Sequence, residues 1–174
     1  LLIDCLPDLQ DQLESRLSRI DWTLSPSLHL SLETDDMTTV LLSQDYQFAA
    51  SHRLHNPELD EDGNRALFGK CANPNGHGHN YRLEVTVAVP LSGEGAGFSA
   101  LDLDALVHEH VVDQYDHTYL NLDVADFRDQ NPTVENITVT CHDKLVGPLA
   151  DRDVSLKHVR LWETDKTCCT YPAS

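Results

Sequence analysis

The spacing of apolar positions divides the chain into helical and extended stretches. Residues 6–20 place Leu6, Leu9, Leu13, Leu17 and Ile20 on one helical face, and Pro7 sits in a first turn where its missing N–H does no harm. Residues 28–32, LHLSL, alternate as a strand does and lead into Glu33-Thr34-Asp35; residues 38–52 read as a second extended stretch. Residues 53–80 are rich in Asn, Asp, Gly and Pro and read as a long loop, a length that usually signals function. Tyr81, Leu83, Val85, Val87 and Val89 then alternate with Arg82, Glu84, Thr86 and Ala88, which predicts a half-buried strand. Gly93, Gly95 and Gly97 mark a turn. A helix over 103–113 follows, with Leu103, Leu106, Val107, His110 and Val111 on one face and Asp102 and Asp104 favouring its start. A second helix over 134–146 is capped by Thr133 and stopped by Gly147-Pro148, and residues 156–163 form a last strand. Strands and helices do not alternate strictly, so the expected class is α+β, with helices on one face of an antiparallel sheet.

Glu33-Thr34-Asp35 recurs as Glu163-Thr164-Asp165, each copy following a helical and a strand-like stretch, and the chain opens on Leu. Two readings of residues 1–43 follow: the tail of a preceding, degenerate similar domain, with Glu33 as a relic, or a plain extension. Residues 44–174 form the main domain in both.

Composition narrows the function classes. With 12 Lys+Arg against 29 Asp+Glu the formal charge is −17, which argues against nucleic acid, because that binding rests on neutralising phosphates. An anionic small substrate would need a locally basic site. No apolar run approaches the roughly 20 residues of a membrane helix, and no basic-then-apolar leader is present, so a cytoplasmic location is expected. Cys5, Cys71, Cys141, Cys168 and Cys169 are an odd set without disulfide-scaffold spacing and read as reduced thiols.

The chemistry concentrates in KCANPNGHGHNY, residues 70–81. His77 and His79, at i and i+2 on extended backbone, point to one side and can share a metal ion. His52, at the end of another strand, is the best third ligand. Three histidines leave one position of a tetrahedral zinc ion open, as catalytic sites do. His29, His55, His108, His110, His142 and His158 have no partner at ligand spacing and read as surface or loop residues. If Cys71 joined the histidines the site would be closed and structural; off the metal, it would be a thiol near a cation, with a lowered pKa. Spacing leaves both open.

The stretches ASHRL, FGKCANPNGHGHNY, YDHTYLNLD, PTVEN and WETD, in this order, resemble the 6-pyruvoyltetrahydropterin synthase family, which includes 6-carboxytetrahydropterin synthases, over about residues 45–172. The Cys-x5-His-x-His spacing is similar to the pyruvoyl branch. The resemblance implies a T-fold: a four-stranded antiparallel sheet with two helices on one face, whose subunits join into a barrel with active sites at subunit contacts. A homo-oligomer, trimer or hexamer, is therefore expected. It implies zinc on His52, His77 and His79, a catalytic Cys71 off the metal, and Asp116 with His117 completing a proton-transfer set. Glu163 matches the glutamate that anchors a pterin ring, and Thr133 and Glu135 match positions beside it. The implied reaction converts 7,8-dihydroneopterin triphosphate to 6-pyruvoyltetrahydropterin with loss of triphosphate. The alternatives are the carboxy product, a non-catalytic zinc-stabilised module with Cys71 as fourth ligand, and a degenerate pterin binder. Arg53, Arg65, Lys70 and Arg82 lie near the motif and are the candidate cations for the triphosphate, though each could equally be a solvated surface charge.

Overall fold

The computed structural model describes residues 17–173. Its centre is one twisted sheet built from β1 (Arg19–Ser25), β2 (Leu28–Glu33), β3 (Asp36–His52), β4 (His77–Pro90), β6 (Ser155–Thr164) and β7 (Thr167–Tyr171), in that spatial order. Every neighbouring pair is antiparallel, and β5 (Thr118–Tyr119) adds a short parallel pairing to β3 at Ala50 and Ser51. The helices are α1 (Glu61–Phe68), α2 (Ala100–Val107), the single turn α3 (Leu120–Asp123) and α4 (Val134–Ala150). The expected α+β arrangement is present: β3, β4, β6 and β7 carry α2 and α4, and β1–β2 widen the sheet at the β3 edge.

The core forms where the period-two face of β4 meets the period-3.6 faces of two helices. Tyr81, Leu83, Val85 and Val87 pack with Leu103, Val107 and Val111 of α2 and its extension and with Ile137, Cys141, Leu145 and Leu149 of α4. Phe48 stacks on Tyr81 with ring centroids 5.0 Å apart, locking β3 to β4 just before the histidines begin.

Several expectations change. The helical stretch 6–20 lies mostly outside the described residues, and its last two positions belong to β1, where Ile20 pairs with Leu32. β1 and β7 were not anticipated: each is a short edge strand with a mixed polar pattern. Two strands, not one, precede Glu33-Thr34-Asp35. Glu33 is exposed and pairs with Arg19 at 3.7 Å, so it has none of the surroundings of the half-buried Glu163.

The region 53–80 is not a continuous loop. Asp60 caps α1 by accepting from the Gly63 N–H at 2.7 Å, and Gly69, at φ +58°, ends it. Asn64, 1% exposed, donates to the carbonyls of Asn56, Leu59 and Asp60 and accepts from the Asn56 N–H, so this polar stretch folds around one buried amide. β4 starts at His77, four residues before Tyr81. α2 begins at Ala100 because Ser99 and Asp102 form a reciprocal cap; it continues through a wider turn at His108–Val112 and ends with Asp113–Tyr115. α4 runs through Gly147-Pro148 to Ala150. Pro148 lies in the last turn, and the Asp151 N–H still reaches the Gly147 carbonyl at 3.0 Å, so the helix ends only beyond the proline.

Candidate active site

Strand register brings the histidines together. His52 pairs directly with His77, and Ala50 pairs with His79, so all three rings project from the helix-covered face at one end of the sheet. Their nearest nitrogens all lie within 4.8 Å of one another, and Cys71 is not part of this group. His52 is fully buried; its Nδ1–H donates to the Pro132 carbonyl at 2.7 Å, which leaves Nε2 as the lone-pair nitrogen facing His77 Nε2 at 3.1 Å. His77 Nδ1 and His79 Nε2 are buried without a hydrogen-bond partner. Burial holds the His52 imidazolium down, to about 4, against the opposing pull of the Pro132 carbonyl, and lowers His77 in the same direction. Three imidazole rings converging this closely suit a metal ion, and the Pro132 bond fixes the His52 tautomer for that role.

Cys71 lies on the tight turn Gly69–Ala72, tied to β3's extension where the Leu54 N–H donates to the Cys71 carbonyl at 2.8 Å. Burial, and then the charge of Glu163, push its thiol pKa up. The protein's own groups therefore keep this sulfur protonated, opposite to the lowering expected beside a cation. Glu163, one residue before the end of β6, places Oε1 at 3.5 Å from His52 Nε2 and 3.8 Å from His79 Nε2. Burial raises its pKa, with the His79 charge opposing and Glu135 adding to the rise. Thr133 caps α4 by accepting from the Asn136 N–H at 3.3 Å, directly after Pro132, whose carbonyl His52 holds, and Glu135 is near enough to act on the charge of Glu163. Gly76, at φ +71°, is a forced glycine: a Cβ there would meet the His52 carbonyl and the Tyr119 ring at 3.0 Å.

Asp116 and His117 lie along the edge of β3 that β5 extends, and His117 lines one hollow with Ala49, Ser51 and His79. The Asp116 carboxylate accepts the Ala49 N–H at 2.7 Å and the His117 N–H donates to the Ala49 carbonyl at 2.6 Å, so the pair is clipped to the strand. Asp116 Oδ2 is 2.7 Å from His117 Nδ1, and the His117 side chain is 82% exposed. The Ala49 and His117 bonds lower the Asp116 pKa. His117 adopts φ +59°, a conformation rarely held by a residue with a Cβ. No hydrogen bond or ion pair among the described residues joins this pair to Cys71 or the three histidines.

Pro132 and Asn121 went unnoticed in the sequence. Asn121 accepts the Arg53 N–H at 2.8 Å and donates to the Arg53 carbonyl at 2.9 Å, holding the chain just past His52. Both residues lie inside the PTVEN and YDHTYLNLD stretches, but their bonds involve backbone that no side-chain pattern announces. Of the other histidines, His29, His108, His142 and His158 pair with Thr23, Asp113, Asp143 and Glu84 respectively, whereas His55 Nδ1 is buried without a hydrogen-bond partner.

Comparison with known proteins agrees with this geometry. The family model described as 6-pyruvoyl tetrahydropterin synthase matches residues 41–174. A human 6-pyruvoyl tetrahydrobiopterin synthase is 38% identical over 133 residues, spanning 75% of this chain and 89% of the relative. A Dictyostelium discoideum protein of the same name is 33% identical over 133 residues, 76% and 96% of the two chains. The solved structure of Caenorhabditis elegans 6-pyruvoyl tetrahydropterin synthase superposes with a TM-score of 0.70 at 33% identity, covering 79% of this chain and 98% of that one. The matched region holds the histidine cluster, Cys71, the clipped Asp116–His117 pair and Glu163, and the chain belongs to the 6-pyruvoyl tetrahydropterin synthase family.

Proposed function

We propose that the chain is a zinc-dependent lyase that converts 7,8-dihydroneopterin triphosphate into 6-pyruvoyltetrahydropterin with loss of triphosphate. The observation that carries this reading is the ligand set: three imidazole nitrogens within 4.8 Å of one another, with the Cys71 thiol outside it yet close enough to feel the charge of Glu163, which borders His52 and His79. The printed names of the relatives point the same way.

His52, His77 and His79 would hold the zinc, whose positive charge would favour the ionised forms of nearby hydroxyls and of the Cys71 thiol. Cys71, as thiolate, takes a proton from a side-chain carbon of the substrate. Asp116 orients His117 through Nδ1, leaving Nε2 to give or receive the second proton. Glu163 accepts adjacent N–H donors along the pterin edge, with Thr133 and Glu135 beside it. The step balances internally: the carbon–oxygen bond to triphosphate breaks, protons move along the side chain, and no outside oxidant or reductant enters. Because His117 opens to solvent on a sheet edge, its pair is proposed to serve a site completed across a contact between copies, in a homo-oligomer.

The test is Cys71→Ala with product analysis. The variant keeps stoichiometric zinc and its fold while turnover falls to background. Loss of zinc and fold together would make Cys71 a structural ligand and overturn the reading; acetaldehyde release by the wild type would assign the carboxy reaction instead.

For residues 1–43 two readings stand as proposals, a plain extension and the closing segment of a preceding, degenerate T-fold unit; the family match starts at residue 41. An upstream reading frame without a domain-sized segment would overturn the second.

A further inference from the structure

The β1–β2 hairpin has one polar and one apolar face. On the polar face three side chains satisfy one another: the Arg19 guanidinium donates to Asp21 at 2.7 Å and to Ser31 at 2.8 Å, and the Ser31 hydroxyl donates to Asp21 at 2.6 Å. The other face is apolar along its length. Ile20 pairs with Leu32 and Trp22 with Leu30, Leu24 and Leu28 lie at the turn end, and Leu30 pairs in turn with Leu42 of the core. This face is therefore continuous with the one that α2 and α4 cover. α4 lies over β6 and β7, but among the described residues no helix lies over β1 and β2 in the same way, and Leu24 stands 60% exposed.

Alongside this face runs an apolar hollow of about 330 Å³, whose walls include Leu24, Leu28 and Leu30 of the hairpin, Val40 of β3, and Leu91 and Phe98 ahead of α2. Residues 1–16 lie outside the described residues, and their sequence supplies the complementary surface. Leu2, Leu6, Leu9, Leu13 and Leu17 recur at helical spacing, while Asp4, Asp8, Asp11 and Ser15 fall on the opposite side. A helix this short is marginal in water unless its apolar stripe is buried. The segment also joins the sheet at the right place. The Leu17 carbonyl accepts the Thr34 hydroxyl at 2.6 Å and the Ser18 carbonyl accepts the Thr34 N–H at 2.9 Å, at the end of the hairpin away from its turn. From there residues 6–17 as a helix span about 18 Å, close to the roughly 17 Å of extended strand between Arg19 and Leu24.

We propose that residues 1–16 form an amphipathic helix that docks along the apolar face of β1–β2, its leucine stripe over Trp22, Leu28 and Leu30. The proposal holds for either reading of residues 1–43. Docked, the helix does for β1–β2 what α4 does for β6–β7, and it fixes β2 against the edge of β3 from Asp36 to Gln44. An edge held in this way is closed to strands of other chains. What stays open on that side of β3 is the stretch beyond Gln44, where β5 and the Asp116–His117 pair lie.

The test is hydrogen exchange on the full chain, comparing wild type with Leu9→Asp, Leu13→Asp and a control, Ser15→Asp, which adds the same charge on the opposite side of the helix. Residues 6–16 are protected in the wild type. Their exchange quickens by about tenfold or more in each leucine variant and not in the control, while β4 keeps its protection in all four. Trp22 reports from the other side of the contact: in a Trp162→Phe background its emission shifts to longer wavelength in the leucine variants only. Exchange over residues 6–16 at the rate of an unstructured peptide in the wild type overturns the proposal, and so does an equal effect of Ser15→Asp. Protection that disappears on dilution would assign the face to a second copy of the chain and overturn it as well.

Discussion

Glu163 Oε1 lies 3.5 Å from His52 Nε2, so a carboxylate from the end of β6 meets the buried imidazole from the end of β3 across the intervening strand. The same carboxylate raises the pKa of Cys71. Glu163→Gln removes that charge, and the Cys71 alkylation profile against pH therefore moves to lower pH in the variant. An unmoved or upward profile would show that Glu163 does not act on the sulfur.

Metal-free protein will lose stability as acid charges the buried histidine. His52 titrates at about 4 in the fold and near 6.5 when unfolded, so the unfolded chain binds more protons between those values. Its contribution is complete above about pH 6.5 and falls away as pH drops towards 4, worth about 3 kcal/mol in all. Denaturant titrations of the metal-free chain from pH 7 to 4 measure this slope. A flat profile would mean that His52 is not buried neutral.

His117→Ala tests the clipped pair. The side chain is 82% exposed, so metal content and folding should hold while turnover falls roughly 10²- to 10⁴-fold. His117→Gly should be at least as stable as the Ala variant, because φ +59° suits glycine. Chemical denaturation of the two variants makes the comparison.

Asn64→Ala leaves the Asn56 N–H and three carbonyls without their buried partner, at a cost of about 2 kcal/mol or more. Hydrogen exchange should quicken across residues 56–68 before it quickens in β3 or β4. Uniform acceleration over the whole sheet would contradict a local role.

Single substitutions of His52, His77 or His79 to Ala each remove one of three ligands, and metal content after dialysis should fall well below one per chain. His158→Ala, whose ring pairs with Glu84, should retain the metal in full.

The sequence by itself determined the elements whose information is local. The alternation at Tyr81–Val89 marks β4, the 3.6 period marks α2 and α4, and two histidines two residues apart on a strand share a side because of backbone pleat alone. The motif blocks also named the residues of the candidate site. What the tertiary structure decided depends on partners far away in the chain. Only register across β3 and β4 puts His52 opposite His77, only the packing of α4 brings the Pro132 carbonyl to His52, and only strand parity sends Arg82 to the face away from the site. α1 was hidden because its stability comes from a cap and one buried amide inside a polar stretch, and a hydrophobic period cannot report bonds made by Asp60 and Asn64. The docking of Asp116–His117 against Ala49 of β3 was equally invisible, since adjacency in sequence fixes their mutual bond but not which surface they serve.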